Sequence, residues 1–309
     1  MKIHKGYIDI KLKTPVVTLG IFDGVHLGHR KLINHLVSCA EKVRGESVVI
    51  TFNPHPRIVL EKGKKDPVFL STMTEKTELL EKCGIDHLVI IEFTQKFSEM
   101  KACEFVEEVL VKKIGTRHLV VGYNHHFGHQ GEGNFQMIKD CARSMGFDVE
   151  QVRGLKLSGK SVSSSLIRNA LAMGKLSEAK KWLGYDYSLR GSVVEGRKIG
   201  RKIGFPTANI RPSDKNKLVP GNGVYAVDTY IDDIKYAGML SIGTNPTVNK
   251  AGGTRSVEVN IFDFEEDIYD TEIEIVFRYR LRDEKKFGSI QELSRQMKID
   301  KGNALRLLS

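Results

Sequence analysis

The chain has 309 residues, 40% hydrophobic and 28% charged, a composition typical of a folded water-soluble protein long enough for two domains. Lysine and arginine outnumber aspartate and glutamate 48 to 38, and the formal charge of +10 suits polyphosphate ligands and nucleic acid alike. No apolar run nears the ~20 residues of a membrane span, and the opening MKIHKGYIDIKLK lacks the apolar core of a signal peptide, so with four cysteines and no CxxC spacing the chain reads as a cytoplasmic protein with reduced, helix-packing thiols.

Residues 16–22 (VVTLGIF), 47–52 (SVVITF), 87–93 (HLVIIEF), 118–123 (HLVVGY) and 147–152 (FDVEQV) are short apolar runs that predict strands. Amphipathic patterns near 30–44, 74–83, 98–113 and 134–145 predict helices between them. That alternation implies βαβ units around a parallel sheet covered on both faces. A serine-capped helix is expected over 164–174 and a short closing helix over 175–184, completing a first domain of residues 1–185. After residue 186 the period changes. Segments 187–196, 223–231, 235–243, 256–264 and 272–281 are short, rich in β-branched or aromatic residues, and separated by Gly, Pro, Asn and Asp. They predict an antiparallel barrel or sandwich over residues 186–309, closed by a terminal helix from about 289 that is interrupted near Gly302.

The chemistry of the first half begins with GIFDGVHLGHRKLI, residues 20–33, between a strand and a helix. Helix-start N–H groups favour anionic oxygens, Gly24 and Gly28 allow close approach to the backbone, and His26 and His29 add imidazole donors at the same spot. After the next strand, TFNPHPR holds Asn53, His55 and Arg57 at the carboxyl edge of the sheet, where ligands of open α/β folds bind. The loop VGYNHHFGHQGEG, residues 121–133, offers His125, His126 and His129, but no cysteine or carboxylate accompanies them at zinc-site spacing. Ser163, Ser164, Ser165 and Arg168 lie at a helix start suited to phosphates. Residues 154–161, GLKLSGKS, fit the pattern GxxxxGK[ST], but Leu155, Lys156 and Leu157 are bulky for a phosphate-wrapping loop. They read as a β-turn between two extended pieces.

In the second half, GRKIGRKIGFPTANI (196–210) joins a glycine- and base-rich loop containing Gly200, Arg201 and Gly204 to Thr207 and Asn209. Backbone N–H groups and basic side chains of that kind can cover a triphosphate. Thr207 and Asn209, two residues apart on an extended segment, offer hard oxygens suited to Mg2+ beside phosphate.

These segments together resemble the prokaryotic bifunctional riboflavin kinase/FAD synthetases over essentially the whole chain. GIFDGVHLGH, TFNPHPR, VGYNHHFG and VSSSLIR stand where that family has its four nucleotidyltransferase motifs, and GFPTAN resembles its kinase motif. The resemblance implies a Rossmann-like nucleotidyltransferase domain of the HIGH type followed by a β-barrel kinase domain. It implies two reactions, riboflavin + ATP → FMN + ADP and FMN + ATP → FAD + pyrophosphate, with Mg2+ accompanying ATP and flavins as substrates and products. Carried onto this chain, His26 and His29 stabilise the α-phosphate transition state. Gly20, Phe22, Gly24 and Gly28 line the ATP site, Ser164 and Arg168 hold phosphates, and Asn53 and Asn124 lie beside FMN. In the kinase half, Gly200, Arg201, Gly204, Thr207 and Arg282 would meet ATP, Thr207 and Asn209 the metal, and Glu258 would be the general base. His125 and His126 replace an aromatic and an arginine, Ser165 a threonine, and Glu195 and Asn260 stand where many relatives have histidine. On the first of these departures rests an alternative, a riboflavin kinase whose adenylyltransferase domain is weakened or silent. A basic nucleic-acid-binding regulator is a second alternative, disfavoured because the basic residues cluster in nucleotide loops. No nucleic-acid or membrane partner is expected.

Overall fold

The computed structural model describes residues 1–309 except 9, 64–65, 124–126, 197–199, 201–203 and 245–254. The chain divides into two compact units, Met1–Ser164 and Ser165–Ser309. In the first, β1 (Lys2–Lys5), β2 (Val16–Leu19), β3 (Ser47–Asn53), β4 (His87–Glu92), β5 (His118–Gly122) and β6 (Asp148–Val152) form one parallel sheet in the order β1-β4-β3-β2-β5-β6. Connecting them are α1 (Leu27–Lys42), α2 (Pro56–Leu60), α3 (Met73–Glu81), α4 (Gln95–Ser98), α5 (Ala102–Phe105) and α6 (Phe135–Met145).

Side-chain alternation along the strands divides the core. Val16 and Val49 pack with Leu32, Ile33 and Leu36 of α1 and Leu80 of α3, whereas Val17, Leu19, Val48 and Ile50 pack with Phe105, Val109 and Ile138 on the opposite face. Because β2 lies between β3 and β5, the chain turns one way after β2 and later returns on its other side. The crevice outside the carboxyl ends of β2 and β5 is therefore a topological switch point, the place where open α/β sheets bind ligands.

Three local expectations need correction. The helix expected over 98–113 is broken into α4, α5 and a π-helical stretch at Val106–Lys113. β1 was not anticipated, because an edge strand with Ile3 as its one apolar residue leaves no periodic signal. The terminal helix is not interrupted at Gly302. The penalty of about 1 kcal/mol for an interior glycine is outweighed by the anchoring of its neighbours described below. The GxxxxGK[ST] match is the hairpin β7 (Lys156–Leu157) and β8 (Lys160–Ser161), whose two-residue turn has φ of 48° at Ser158 and 76° at Gly159. Two positive φ values are the type I′ signature, so this segment turns the chain back as a β-turn and does not form a P-loop.

The second unit contains most of α7 (Ser164–Ala172), α8 (Leu176–Leu183) and a six-stranded closed antiparallel barrel in the order β10-β13-β12-β11-β14-β9. Its strands are β9 (Ser188–Val194), β10 (Ala208–Pro212), β11 (Gly223–Ile231), β12 (Ile234–Thr244), β13 (Arg255–Ile261) and β14 (Glu272–Arg282). The Gly221 amide bonds to the Leu171 carbonyl of α7 at 2.8 Å, and α8 packs on β14. Helix α9 (Ile290–Leu308) lies on the barrel through Ala304, which is fully buried with Ala226, Met239 and Phe262.

Candidate active sites

In the first unit, the chain leaves β2 through Gly20, turns at Phe22 with φ 51°, and enters α1 at His26. The turn is tied down from several directions. Asp23 Oδ1 accepts the Leu70 and Ser71 amides at 2.8 and 3.2 Å, Gly24 N–H donates to Ser71 Oγ at 2.9 Å, and Ser164 Oγ donates to the Asp23 carbonyl at 3.0 Å. His26 is buried and caps α1, its Nδ1 accepting the His29 amide at 3.2 Å, which leaves the ring proton on Nε2. Gly28 leaves room for the stack: a Cβ there would stand 3.1 Å from His26 Cε1 and would press on that ring.

The His26 and His29 rings stack with centroids 3.6 Å apart, and Phe22 meets His29 edge-on at 5.2 Å. His29 Nδ1 is buried without a hydrogen-bond partner. Burial first, then the neighbouring charges of His26 and Lys76, hold His29 well below the ordinary histidine range. Lys76 is itself buried, and desolvation brings it down to about 8 against the opposing pull of Asp23. A stacked imidazole pair in which His29 is held neutral and keeps an unsatisfied ring nitrogen, at a helix N-terminus on the switch-point side of the sheet, can receive a phosphate oxygen.

Beside it lies a cavity of about 410 Å³ whose wall includes Gly20, Ile21, Phe52, Phe93, Phe97, Phe105 and Phe127. The phenyl rings follow one another at 5.7 Å (Phe52–Phe93), 5.7 Å (Phe93–Phe97), 6.0 Å (Phe97–Phe105) and 5.8 Å (Phe105–Phe127). Such a lining fits a flat aromatic ligand. Sequence reasoning did not single out these phenylalanines, although Phe52 ends β3 and Phe93 directly follows β4, on the ligand-bearing side of the sheet. Asn53 is exposed at the end of β3. Arg57 is committed to a two-pronged pair with Glu61 at 2.9 and 3.1 Å. His129 is fastened through its amide to the Met100 carbonyl at 3.0 Å, with Nδ1 3.3 Å from the Ser98 carbonyl. Asn124, His125 and His126 lie outside the described residues. Arg168 belongs to the second unit and donates to Ser165 Oγ at 3.0 Å.

In the barrel, β10 and β13 pair so that Asn209 is directly opposite Glu258, and Ser241 of β12 faces Glu258 from the other side. Thr207 Oγ1 lies 3.4 Å from Glu258 Oε2, and the Gly200 backbone approaches Thr207. A side chain at Gly196 would collide with the Asn209 amide, so a glycine there lets the backbone pass close to that side chain. Thr207, Asn209 and Glu258 thus bring hydroxyl, amide and carboxylate oxygens to one patch, a hard donor set that fits Mg2+. Asn260 donates to the Pro206 carbonyl at 2.6 Å and fixes the GFPTAN turn, a structural role for a residue whose meaning the sequence left open. A cavity of about 330 Å³ opens beside Thr207, walled by Val193, Val259, Ile261 and Tyr269 among others. Arg201 lies outside the described residues, and Gly204 sits in the turn with φ 77°. Arg282, expected at nucleotide phosphate, is held by the buried carboxylate of Asp300 on α9, with contacts of 2.8 to 3.1 Å. Any phosphate there must compete with that pair.

Two family models match the chain, FAD synthetase over residues 9–166 and riboflavin kinase over residues 183–308. Curated relatives named bifunctional riboflavin kinase/FMN adenylyltransferase include one from Listeria monocytogenes, 38% identical over 92% of this chain and 90% of its own length. Those of Bacillus subtilis and Escherichia coli K12 are each 35% identical, covering 95% and 92% of this chain and 92% and 90% of their own. A crystal structure described as a macrolide-efflux protein from Streptococcus pneumoniae superposes with a TM-score of 0.88 at 34% identity, covering 97% of both chains. That description names transport, whereas among the described residues of this chain no helix is long and apolar enough to cross a membrane. With both halves matched in order and relatives aligned over nine-tenths of their length, the chain belongs to the bifunctional riboflavin kinase/FMN adenylyltransferase family.

Proposed function

We propose that each of the two family reactions has its own site in this chain, the kinase at the Thr207–Asn209–Glu258 patch and the adenylyltransferase at the His26–His29 stack. The chain makes FMN and FAD, from riboflavin and from FMN with ATP. In the barrel, Glu258 accepts the proton of the ribityl 5′-hydroxyl as that oxygen attacks the γ-phosphorus of ATP, and ADP leaves. Thr207 and Asn209 would hold Mg2+, which when bound supplies charge neutralisation on the transferring phosphate. Gly200 and Gly204 offer backbone N–H groups to the nucleotide, and the family motif assigns Arg201 a positive charge toward its phosphates. The cavity beside Thr207 accommodates a planar substrate ring.

In the sheet unit, the FMN phosphate attacks the α-phosphorus of ATP and pyrophosphate leaves. No covalent enzyme intermediate is needed, because alignment and charge stabilisation suffice. His26 and His29 donate to the α-phosphate oxygens as charge builds, Gly24, Gly28 and the first turn of α1 add N–H groups, and Ser164 holds the turn through Asp23. The phenylalanine-lined cavity takes the isoalloxazine ring, and Asn53, next in sequence to Phe52, is assigned to the flavin as well. By resemblance to the family, phosphate and flavin roles in the same reaction are assigned to Arg168 and Asn124. Consumption of ATP and four free thiols favour a cytoplasmic setting.

The observation that carries this reading is the orphaned His29 Nδ1 in a stacked pair beside an aromatic cavity at the switch point. Its test is substitution of His29 and Glu258 separately, with FMN formation from riboflavin and FAD formation from supplied FMN followed side by side. Loss of both activities from either single change would refute separate sites.

A further inference from the structure

The rear half of α1 carries a group of side chains that neither reaction uses. His35 and Cys39, one turn apart on the same face, meet Glu150 from the middle of β6. His35 Nε2 lies 2.9 Å from Glu150 Oε1, Cys39 Sγ lies 3.5 Å from His35 Nε2 and 3.8 Å from Glu150 Oε2, and the three donor atoms fall within 4.8 Å of one another. A fourth group faces the same carboxylate. His118, the first residue of β5, places Nε2 3.6 Å from Glu150 Oε2, and that nitrogen is buried without a hydrogen-bond partner.

We propose that His35, Cys39 and Glu150, with His118 or water as fourth ligand, form a structural site for a borderline-soft divalent cation, Zn2+ foremost. Bonds of about 2.0–2.3 Å in a tetrahedron separate neighbouring ligand atoms by about 3.3–3.8 Å. The observed separations of 2.9 to 3.8 Å bracket that edge, so closure needs only small side-chain shifts. One thiolate and one carboxylate cancel the charge of a divalent cation, and two imidazoles add none. The thiol and imidazole nitrogens distinguish this set from the all-oxygen Thr207–Asn209–Glu258 patch, so it discriminates against Mg2+. Glu150 is 44% and His35 35% exposed at the side chain, which leaves a path for entry. The His and Cys on α1 and the Glu and His on β6 and β5 sit on different elements. A bound ion would clamp α1, whose first turn carries His26 and His29, to the strands beyond the switch point. Its effect is on stability of the sheet unit.

The test uses the full chain, stripped with a chelator under reducing conditions and titrated with Zn2+ against a chromophoric competitor, and in parallel with Co2+ as a spectroscopic probe. The parent should bind one ion per chain, raise the melting temperature of the sheet unit, and give a thiolate-to-cobalt charge-transfer band that excess Mg2+ leaves unchanged. Cys39→Ala should abolish the band and weaken binding by roughly 100-fold or more, and Glu150→Gln should weaken it by at least about 10-fold. Kinase turnover with Mg-ATP should be unaffected by either change. Binding that is equally tight in both variants would assign the ion to other histidines and overturn the site. So would a parent that retains neither ion more tightly than Cys39→Ala.

Discussion

Removing the His29 ring tests the adenylyltransferase site most sharply. In the resting protein this ring stacks on His26 at 3.6 Å, meets Phe22 edge-on at 5.2 Å, and leaves Nδ1 unsatisfied. His29→Ala therefore has a structural and a chemical cost. Losing one stacked and one edge-on contact should lower stability by about 1–3 kcal/mol, while His26 keeps its cap on α1 because it accepts from the residue-29 backbone amide. Losing a donor to oxygens that gain charge only in the transition state should lower kcat for FAD formation by roughly 10²–10³-fold, or about 2.7–4 kcal/mol. The change in KM for ATP should be much smaller. The assay is pyrophosphate release from supplied FMN and Mg-ATP, run below the melting temperature of the variant, with riboflavin phosphorylation as an internal control. Lys160→Ala is the comparison, because its hairpin turn is not a phosphate loop and its turnover should match the parent. A His29→Ala enzyme within about threefold of parental kcat, or crippling by Lys160→Ala instead, would refute the assignment.

Glu258→Gln keeps the shape opposite Asn209 and Thr207 but cannot accept the ribityl proton, so FMN formation should fall by roughly 10²–10⁴-fold while adenylylation of supplied FMN persists, both read from flavin chromatography. A cut near residue 185 should leave residues 186–309 able to phosphorylate riboflavin; the longer fragment 165–309 keeps the Gly221–Leu171 bond and the packing of α8 on β14, and calorimetry should show it melting at higher temperature. Lys76→Met should stabilise the sheet unit at pH 7 by at most about 3 kcal/mol, because burial holds the ammonium at about 8 where the unfolded chain has the ordinary 10.5. The unfolded chain binds more protons between those values, so the parent should gain stability from pH 8 to 10.5 and the advantage of the variant should vanish there. An advantage that stays constant with pH in thermal melts would contradict this account of Lys76.

Much of this architecture was legible because its signals are local and repeated. Val16–Leu19, Ser47–Asn53, His87–Glu92 and His118–Gly122 are continuous apolar runs, and strands buried on both faces need that pattern. The barrel strands after residue 186 stood out by alternation and by their turn residues. β10 did not, since Ala208–Pro212 has Pro206 before it and ends in proline. The histidine pair was legible as chemistry, but its stacking and the orphaned nitrogen depend on the left-handed turn at Phe22 and Gly24. The phenylalanine-lined cavity was not legible. Its phenylalanines come from five separate segments, and only the sheet order brings them together. Arg282 shows the opposite limit. A lone basic residue after a strand suggested phosphate, yet Asp300, 18 positions on, engages the guanidinium through both oxygens. No sequence spacing announces such a pair.

The central claim is that one chain carries riboflavin through both steps, and the balance of products tests it directly. Purified protein is incubated with riboflavin and Mg-ATP, and flavins, ADP and pyrophosphate are quantified over time. The account predicts that FMN forms first and FAD follows, with one ADP and one pyrophosphate released for every FAD. Unconverted riboflavin, or FMN and ADP accumulating in step with no FAD or pyrophosphate, would contradict it.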